Sequence, residues 1–482
     1  MTDTSHEVTY MHIQIKNTRV ITLMIALALF NFIFLATEYL FDNMMALVTS
    51  PSDVIAAQGY ILGASVIGFV VYPLLSVKIP ESVHSIAVFA GALAEIICMF
   101  VIWQRASYTL ILSAGCLAYV LIGIAGSALN YRLSRVAQRD SLGKTVAVSY
   151  ALGILFQYLN THLIQNSMAE SIILAVSSAV VAVLMLKAEH EQMEAAEDTV
   201  SLKKIENPHL AGMALIVVVM LMTCIFSTLD AAVTLVHVSG NGDVGNWPRL
   251  LLALSALLAG VLYDAWHQKY MNLIMYAVTL LSTLCIVVME NGESFYAGLI
   301  VFYLSAGFFV VYFTSSFIKL SYETNLPQLW ASLGRAVNNV CAFIMSSVSI
   351  KLLQSDNPVL RNGVVLVLFV LISVAFYFYV SFVKTPEEKK EDTAKETSIS
   401  EEERMQQFAK AFSLTHRETE VLQVLLVSDE NVQKIAEQLL ISRAALYRHI
   451  TSINEKTNTK SRIGLVQFYY RFEAGGTHEK DF

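Results

Sequence analysis

Residues 20–41 read VITLMIALALFNFIFLATEYLF, twenty-two positions with a single charge, Glu38. A helix needs roughly 20 mostly apolar residues to cross the hydrocarbon of a bilayer, at about 1.5 Å of rise per residue. No Gly or Pro interrupts this stretch, so it reads as a spanning helix. No small-residue cleavage site clearly follows it, so it is expected to be retained rather than removed as a signal.

Eleven further stretches repeat the pattern, near 54–77, 83–103, 108–130, 145–165, 167–187, 209–236, 249–266, 270–289, 295–320, 333–354 and 361–383. Those at 145–165 and 333–354 are the most polar. The longest linker, 188–208, carries Glu189, Glu191, Glu194, Glu197, Asp198, Lys203 and Lys204, and it divides the spans into 20–187 and 209–383, six and six. The whole chain of 482 residues is 55% hydrophobic and only 15% charged, against about 25% charged in soluble domains. The fold class this implies is all-α: a polytopic bundle of about 12 spans, followed by a separate C-terminal domain.

Loop charge sets the orientation. With residues 1–19 as a cytoplasmic tail, thirteen Lys and Arg lie inside, among them Lys16, Arg19, Lys144 and Arg335; four, Arg105, Arg249, Lys351 and Arg361, lie outside. The positive-inside bias then puts both termini in the cytoplasm, at a cytoplasmic membrane. Trp103, Trp247, Trp266 and Trp330 fall at or beside the span ends, as residues of an interfacial belt do.

Ionisable groups at membrane depth are costly and often functional. Glu38, Glu95 and Asp230, with the polar Asn31, Tyr158, His162 and Asn338, are the candidate ligand-binding residues, facing a cavity that takes a polar or cationic small molecule. The alternative for each is hydrogen bonding between helices or snorkelling to an interface. The five cysteines stand singly in apolar runs, so neither a disulfide framework nor a metal site is expected. No paired nucleophile and base and no phosphate loop appears, so no catalytic residue, no cofactor and no enzymatic activity is expected.

The six-plus-six layout resembles the major facilitator superfamily. A local motif adds to the resemblance: Gly260, Asp264 and Lys269 match the family's loop between the second and third helices of a half, and His267 stands where that pattern has Gly. The matching loop of the first half, Gly68 to Lys78, has Tyr72 in place of the acid. The signature is half present, which favours a sensor over an active transporter.

From 384 the composition changes. Residues 384–407, KTPEEKKEDTAKETSISEEERMQQ, read as a charged tether that Pro386 separates from the last span. Residues 408–482 read as a compact helical domain. Thr415 and Glu418 have the spacing of a capping box, ahead of Val421, Leu422, Leu425 and Leu426 on one helical face. A second short helix holds Ile435, Ala436 and Leu439. After a tight turn at Leu440-Ile441, Ser442 caps a third, with Leu446 and Ile450 on its buried side.

On LTHRETEVL at 414–422, IAEQL at 435–439, Ile441-Ser442-Arg443, His449-Ile450 and Lys460-Ser461-Arg462, residues 412–472 resemble the helix-turn-helix domain of LuxR-type transcription regulators. The resemblance implies a four-helix domain whose third helix enters the major groove of promoter DNA. It also implies a homodimer through the last helix, Ser461 to Phe472. The chain departs from the family at Leu440, where Gly is common, and at Ala445 and Tyr447. The domain as a whole has ten Lys and Arg against nine Asp and Glu, yet 442–462 holds Arg443, Arg448, Lys456, Lys460 and Arg462 against Glu455 alone. Ser442, Arg443, Ala444, Tyr447, Arg448, Lys456, Lys460 and Arg462 are therefore the candidate DNA-binding residues. Arg448 is the candidate for a guanine edge; Arg443, Lys456, Lys460 and Arg462 are candidates for phosphates. The function expected is a membrane-bound transcription regulator that senses a small molecule through its spans. The alternative is a major-facilitator-type transporter with a regulatory DNA-binding tail.

Overall fold

The computed structural model describes residues 3–78, 80–164, 166–192, 207–238, 247–265, 270–289, 295–353, 357–383, 401–428 and 430–472. Trp266, His267 and Lys269, the central loop 193–206 and the linker 384–400 lie outside the described residues. The chain forms two compact units, Met1–Lys384 and Thr385–Phe482.

The first unit comprises twelve long helices: α1 Asp3–Met45, α2 Pro51–Lys78, α3 Glu81–Trp103, α4 Tyr108–Val136, α5 Leu142–Leu163, α6 Ser167–Gln192, α7 Pro208–Val238, α8 Arg249–Asp264, α9 Met271–Met289, α10 Phe295–Ser321, α11 Pro327–Leu353 and α12 Pro358–Val383. Among the described residues, nine of these are long and apolar enough to cross a membrane. The remaining three are α8, which is short, α9, whose apolar part is the shorter Met271–Cys285, and α11, which carries Arg335, Asn338 and Asn339. α1 starts well before residue 20, because no Gly or Pro in 3–19 stops it. Four helices open on Pro, where the missing N–H costs nothing. Asn357 Oδ1 accepts from Val359 N and Leu360 N, at 3.1 and 3.2 Å, to cap α12.

Two apolar cores form, and they interlock. Most of the first half packs in one, but Ala147, Tyr150, Ala151 and Ile154 of α5 join the core of the second half. Across the halves α2 lies on α11 and α5 on α8. Small residues permit these approaches: a Cβ on Gly59 would fall 2.4 Å from Ser346 Oγ, and one on Gly260 would fall 2.3 Å from Ala147 Cβ. Such close contacts are how helices associate where burial in lipid offers no hydrophobic gain. α3 and α12 turn long apolar faces outward, with Ile86 67% and Val370 60% exposed. A surface of this kind is stable against lipid and not against water.

Trp330 corrects the belt assignment. It stands near the start of α11 but is buried, stacked on Phe317 at 6.4 Å and filling the space that Gly212 leaves free. Trp103 ends α3, and Trp247, just before α8, is exposed.

The second unit contains α13 Glu401–Ala411, α14 His416–Val427, α15 Val432–Gln438, α16 Arg443–Thr457 and α17 Arg462–Arg471. Met405 and Phe408 of α13 lie in the same core as Val421, Leu422, Ile435, Leu446, Ile453 and Leu465. The packed domain therefore begins with α13, inside the stretch whose charge makes it read as tether. Phe408 touches Phe412, Phe468, Tyr469 and Phe472, an aromatic cluster that closes the domain.

Candidate functional site

The helix-turn-helix is α15, the turn at Leu439–Ile441, and α16. Its helix ends follow from single side chains. Thr415 and Glu418 form the capping box of α14, Asn431 caps α15 by accepting from Lys434 N, and Ser442 caps α16 by accepting from Ala445 N at 3.2 Å. Ala436 is buried where α15 meets α16. α15 closes with Ile441 N donating to the Ala436 carbonyl at 2.9 Å, which forces Leu440 to φ 54°. That left-handed conformation suits Gly, as does the whole closing motif. Leu440 occupies it with its side chain 92% exposed, so nothing is gained by packing. A left-handed L-residue costs about 1–2 kcal/mol, partly offset by the entropy Gly loses on folding. Leu440→Gly is therefore expected to raise the stability of this unit by about 0.5–1 kcal/mol, read as a higher melting temperature of the C-terminal transition in the full chain. No change or a lower value would refute the strain argument.

Glu418 braces α14 to α16. It is 5% exposed, and its carboxylate accepts from Lys456 Nζ at 2.6 Å, Ser452 Oγ at 2.6 Å, Thr415 N at 2.7 Å and Thr415 Oγ1 at 2.9 Å. Burial alone would raise its pKa, but the Lys456 ammonium and the other donors outweigh burial and hold it down at about 2.

One face of α16 remains for a ligand. Ser442, Arg443, Ala444, Tyr447 and Arg448 are exposed, opposite the buried Leu446 and Ile450. Among the described residues Arg443, Tyr447, Arg448 and Lys460 have no side-chain partner. Lys456 and Arg462 differ. Lys456 Nζ also donates to the Ser413 carbonyl at 3.0 Å, and Arg462 donates to the Ser428 and Glu430 carbonyls, holding the loop between α14 and α15. Both cations therefore have internal work, which the charge count of 442–462 does not reveal.

In the membrane unit the candidate residues divide into three groups. Glu38 of α1 accepts from Gln58 of α2 at 2.8 Å and interacts electrostatically with Arg249 and Arg335. Asp42 and Asp230 interact electrostatically with Glu38, and Asp230 with Arg249, so Glu38 of the first half is coupled to charged groups of α7, α8 and α11 in the second. Asn31 lies below them. It donates to the Leu27 carbonyl, accepts from Arg335 at 3.5 Å, and lines with it a central cavity of about 10 Å³. Arg335 also lies over the rings of Phe34, at 4.9 Å, and Phe313, at 5.6 Å. It is thus part of the bundle interior rather than a loop charge. The loop-charge count takes it as an orienting cation; the signal that finds it is its place on a helix beginning at Pro327.

Asn338 ties helices together, accepting from Thr223 of α7 at 3.3 Å and donating to Asn339, which reaches Ser65 of α2. The rings of Tyr158 and His162 lie against each other, tilted by 32° with centroids 4.0 Å apart, near the end of α5, with His162 exposed. Glu95 stands apart from the polar centre, within the first half, and accepts from Ser178 at 2.8 Å.

At one end of the bundle the halves are clasped. Asp264 Oδ1 and Oδ2 accept from Gly143 N and Lys144 N, at 2.7 and 2.8 Å, so the end of α8 caps α5. Arg139 pairs with Glu323 at 3.3 Å and lies over Tyr322 at 4.4 Å. A carboxylate at a helix N-terminus is favoured by the free N–H groups and the helix dipole.

The geometry of the second unit defines a helix-turn-helix DNA-binding domain, and that of the first a two-half, multi-pass membrane bundle. Residues 412–469 match the family GerE, described as "Bacterial regulatory proteins, luxR family", so the chain carries a LuxR-family DNA-binding domain at its C-terminus. The membrane unit has the fold of the major facilitator transporters. It is similar to the human organic anion transporter MFSD10 (TETRAN), with TM-score 0.54 and 12% identity over 76% of this chain and 99% of that one. It is also similar to a bacterial homologue of the iron transporter ferroportin in an outward-facing state, with TM-score 0.53 and 12% identity over 76% and 99%. Comparison with curated proteins gives no match.

Proposed function

We propose that this protein is a membrane-bound transcription regulator that binds a small molecule among its spans and promoter DNA through α16. The observation that carries the reading is the exposed, unpartnered Arg443–Arg448 face on the reading helix of a LuxR-family domain, joined in one chain to a major-facilitator fold. In this reading all twelve helices cross a cytoplasmic membrane and both termini are cytoplasmic, where DNA is. Arg448 reads a base edge; Arg443 and Lys460 hold phosphates; Ser442, Ala444 and Tyr447 complete the contact face. Lys456 and Arg462 support that face through their internal bonds and add positive field. Two chains pair through Ser461 to Phe472, where Ile463 and Tyr470 are exposed apolar groups, 72% and 53%, and so present two reading helices to two half-sites.

Regulation requires a ligand that binds two states of the membrane unit unequally. The polar centre of Glu38, Asp230, Asn31 and Arg335 spans both halves, so a ligand there biases their relative position. The same centre supports the second reading, a transporter with a regulatory tail; uptake by protein lacking 384–482 would favour it.

The test is footprinting of DNA upstream of the protein's own and adjacent genes, with full-length protein in membranes. Arg448→Ala is expected to weaken specific binding by about 1–3 kcal/mol, roughly 5- to 150-fold, and to relax preference at one base position. Arg443→Ala is expected to weaken binding evenly across sequences and lower the salt slope by about one. Unchanged binding and promoter output in Arg448→Ala would show that the reading helix is misassigned.

A further inference from the structure

Within the first half, α1, α2, α3, α4 and α6 surround a cavity of about 170 Å³, separate from the polar centre between the halves. Its walls are mainly apolar, with Phe30, Val88, Ile122 and Met185 among them. One carboxyl reaches it. Glu95, on α3, is 7% exposed, and Ser178 Oγ donates to its Oε1 at 2.8 Å. Among the described residues its second oxygen has no partner, and no Lys or Arg lines the cavity. A carboxyl in the middle of a span, directed into an apolar space with one acceptor position free, is costly without a partner.

We infer that this cavity binds a small lipophilic amine, its ammonium on Glu95 and its apolar body against α1, α4 and α6. The volume sets the size class. A dry apolar cavity of about 150 Å³ holds benzene, whereas drug-sized ligands need about 300–1,000 Å³. The occupant is therefore a single ring with a short aminoalkyl chain. The outer face of α3, with Ile86 67%, Leu93 60% and Ile97 55% exposed, lies against lipid, so an amine dissolved in the bilayer meets this helix first. Gly91 thins the α3 wall, and a Cβ built there meets nothing within 4 Å. The other polar groups of the lining are Tyr72, Ser76, His84 and Ser178.

The inference deepens the sensing reading by naming the chemistry sensed and a site for it outside the polar centre. It is tested without DNA, on full-length protein in nanodiscs of phosphatidylcholine, by ligand-observed NMR with phenethylamine and with uncharged butylbenzene. Both probes are expected to bind. Glu95→Gln is expected to weaken phenethylamine by about tenfold or more, the worth of a charge-assisted hydrogen bond, and to leave butylbenzene within about twofold. Gly91→Leu fills the cavity without a backbone clash and is expected to weaken both. Failure of phenethylamine to bind, equal binding to Glu95→Gln, or indifference to Gly91→Leu each overturns the inference. So does displacement of butylbenzene by a fatty acid but not by the amine, which assigns the cavity to a lipid chain. If Glu95→Gln does not fold, Gly91→Leu and the wild-type comparison of the two probes carry the test. Promoter footprinting is unaffected by these failures, so loss of this site leaves DNA binding standing, and the reverse.

Discussion

Glu418→Gln is expected to destabilise the C-terminal unit by about 3 kcal/mol, roughly a hundredfold in the folded-to-unfolded ratio. The substitution removes the charge that holds Lys456 and leaves one acceptor oxygen where two served Lys456, Ser452 and Thr415, and so loosens α14 from α16. Lys456 is partly exposed and regains water, which keeps the loss at the low end of what breaking a buried pair costs. The same carboxylate makes the unit acid-labile. Its pKa lies at about 2 in the folded state and near 4.5 when unperturbed, so its contribution is present in full above the unfolded value. It disappears as pH falls from 4.5 through 2, when the proton that the unfolded chain already holds is forced onto the folded one. Urea titrations of the full chain between those limits are expected to show the wild-type C-terminal transition weakening steeply with acid. The Glu418→Gln transition should start lower and be flatter over the same window. Equal slopes would assign acid lability to other carboxylates. Promoter binding falls with the fold, because α16 is held by this brace.

The capping box is legible in the sequence because its signal is local: Thr415 and Glu418 stand three apart at the entrance to a helix. What Glu418 does beyond its own helix is not legible there, since Lys456 lies 38 positions away and nothing in its surroundings distinguishes it from a phosphate-binding lysine. Arg462 reads as a phosphate contact for the same reason. Val421, Leu422, Leu425, Ile435, Ala436, Leu446 and Ile450 are buried as the sequence pattern places them, with Leu426 and Leu439 half-buried and Ile453 added, because amphipathic periodicity is a one-dimensional record of a buried stripe. In α13 that record is masked by charge: Met405 and Phe408 are two apolar positions at the end of a strongly charged stretch, too few to outweigh it.

The membrane unit shows the same division. Two halves with six helices each are legible from length and apolarity, and the fold agrees with that of major facilitator transporters. The short α8, α9 with its shorter apolar part and the polar α11 are the weak members of the set. α11 is polar because it faces inward, with Arg335 on Asn31 and Asn339 on Ser65. Charge counts assume that a cation near a span end lies in a loop, and Arg335 breaks that assumption. Of the candidate ligand residues, Glu38, Asp230 and Asn31 are linked at the polar centre, Asn31 through Arg335, whereas Glu95 faces its own cavity and Tyr158 and His162 pair with each other near the end of α5. Which carboxyls converge depends on helix rotation about the axis, and a nearly all-apolar helix carries little record of its rotation.

Gly260→Ala is expected to open the clasped end of the membrane unit. The added Cβ would stand 2.3 Å from Ala147 Cβ and 2.7 Å from the Gly143 carbonyl oxygen, so α8 must move away from α5. Overpacking of this kind costs about 1–3 kcal/mol. The movement also draws the Asp264 carboxylate from Gly143 N and Lys144 N, and loss of a helix cap adds about 1 kcal/mol. A total near 3 kcal/mol shifts a two-state equilibrium roughly a hundredfold toward the form with this end apart. The readout is alkylation of a cysteine substituted for Thr145, which is 7% exposed in the clasped form, in a chain whose native cysteines are replaced by serine. Alkylation is expected to be slow in that background and at least about tenfold faster with Gly260→Ala. Ala147→Gly removes the nearest contact but leaves the Gly143 carbonyl in place, so the double variant should recover part of the protection. An unchanged rate in Gly260→Ala would mean that the α5–α8 contact yields without separating the halves. If the rate rises and promoter occupancy in the same membranes stays constant, the clasp is not part of the regulatory switch. If occupancy changes with it, the membrane unit governs DNA binding through the position of its halves.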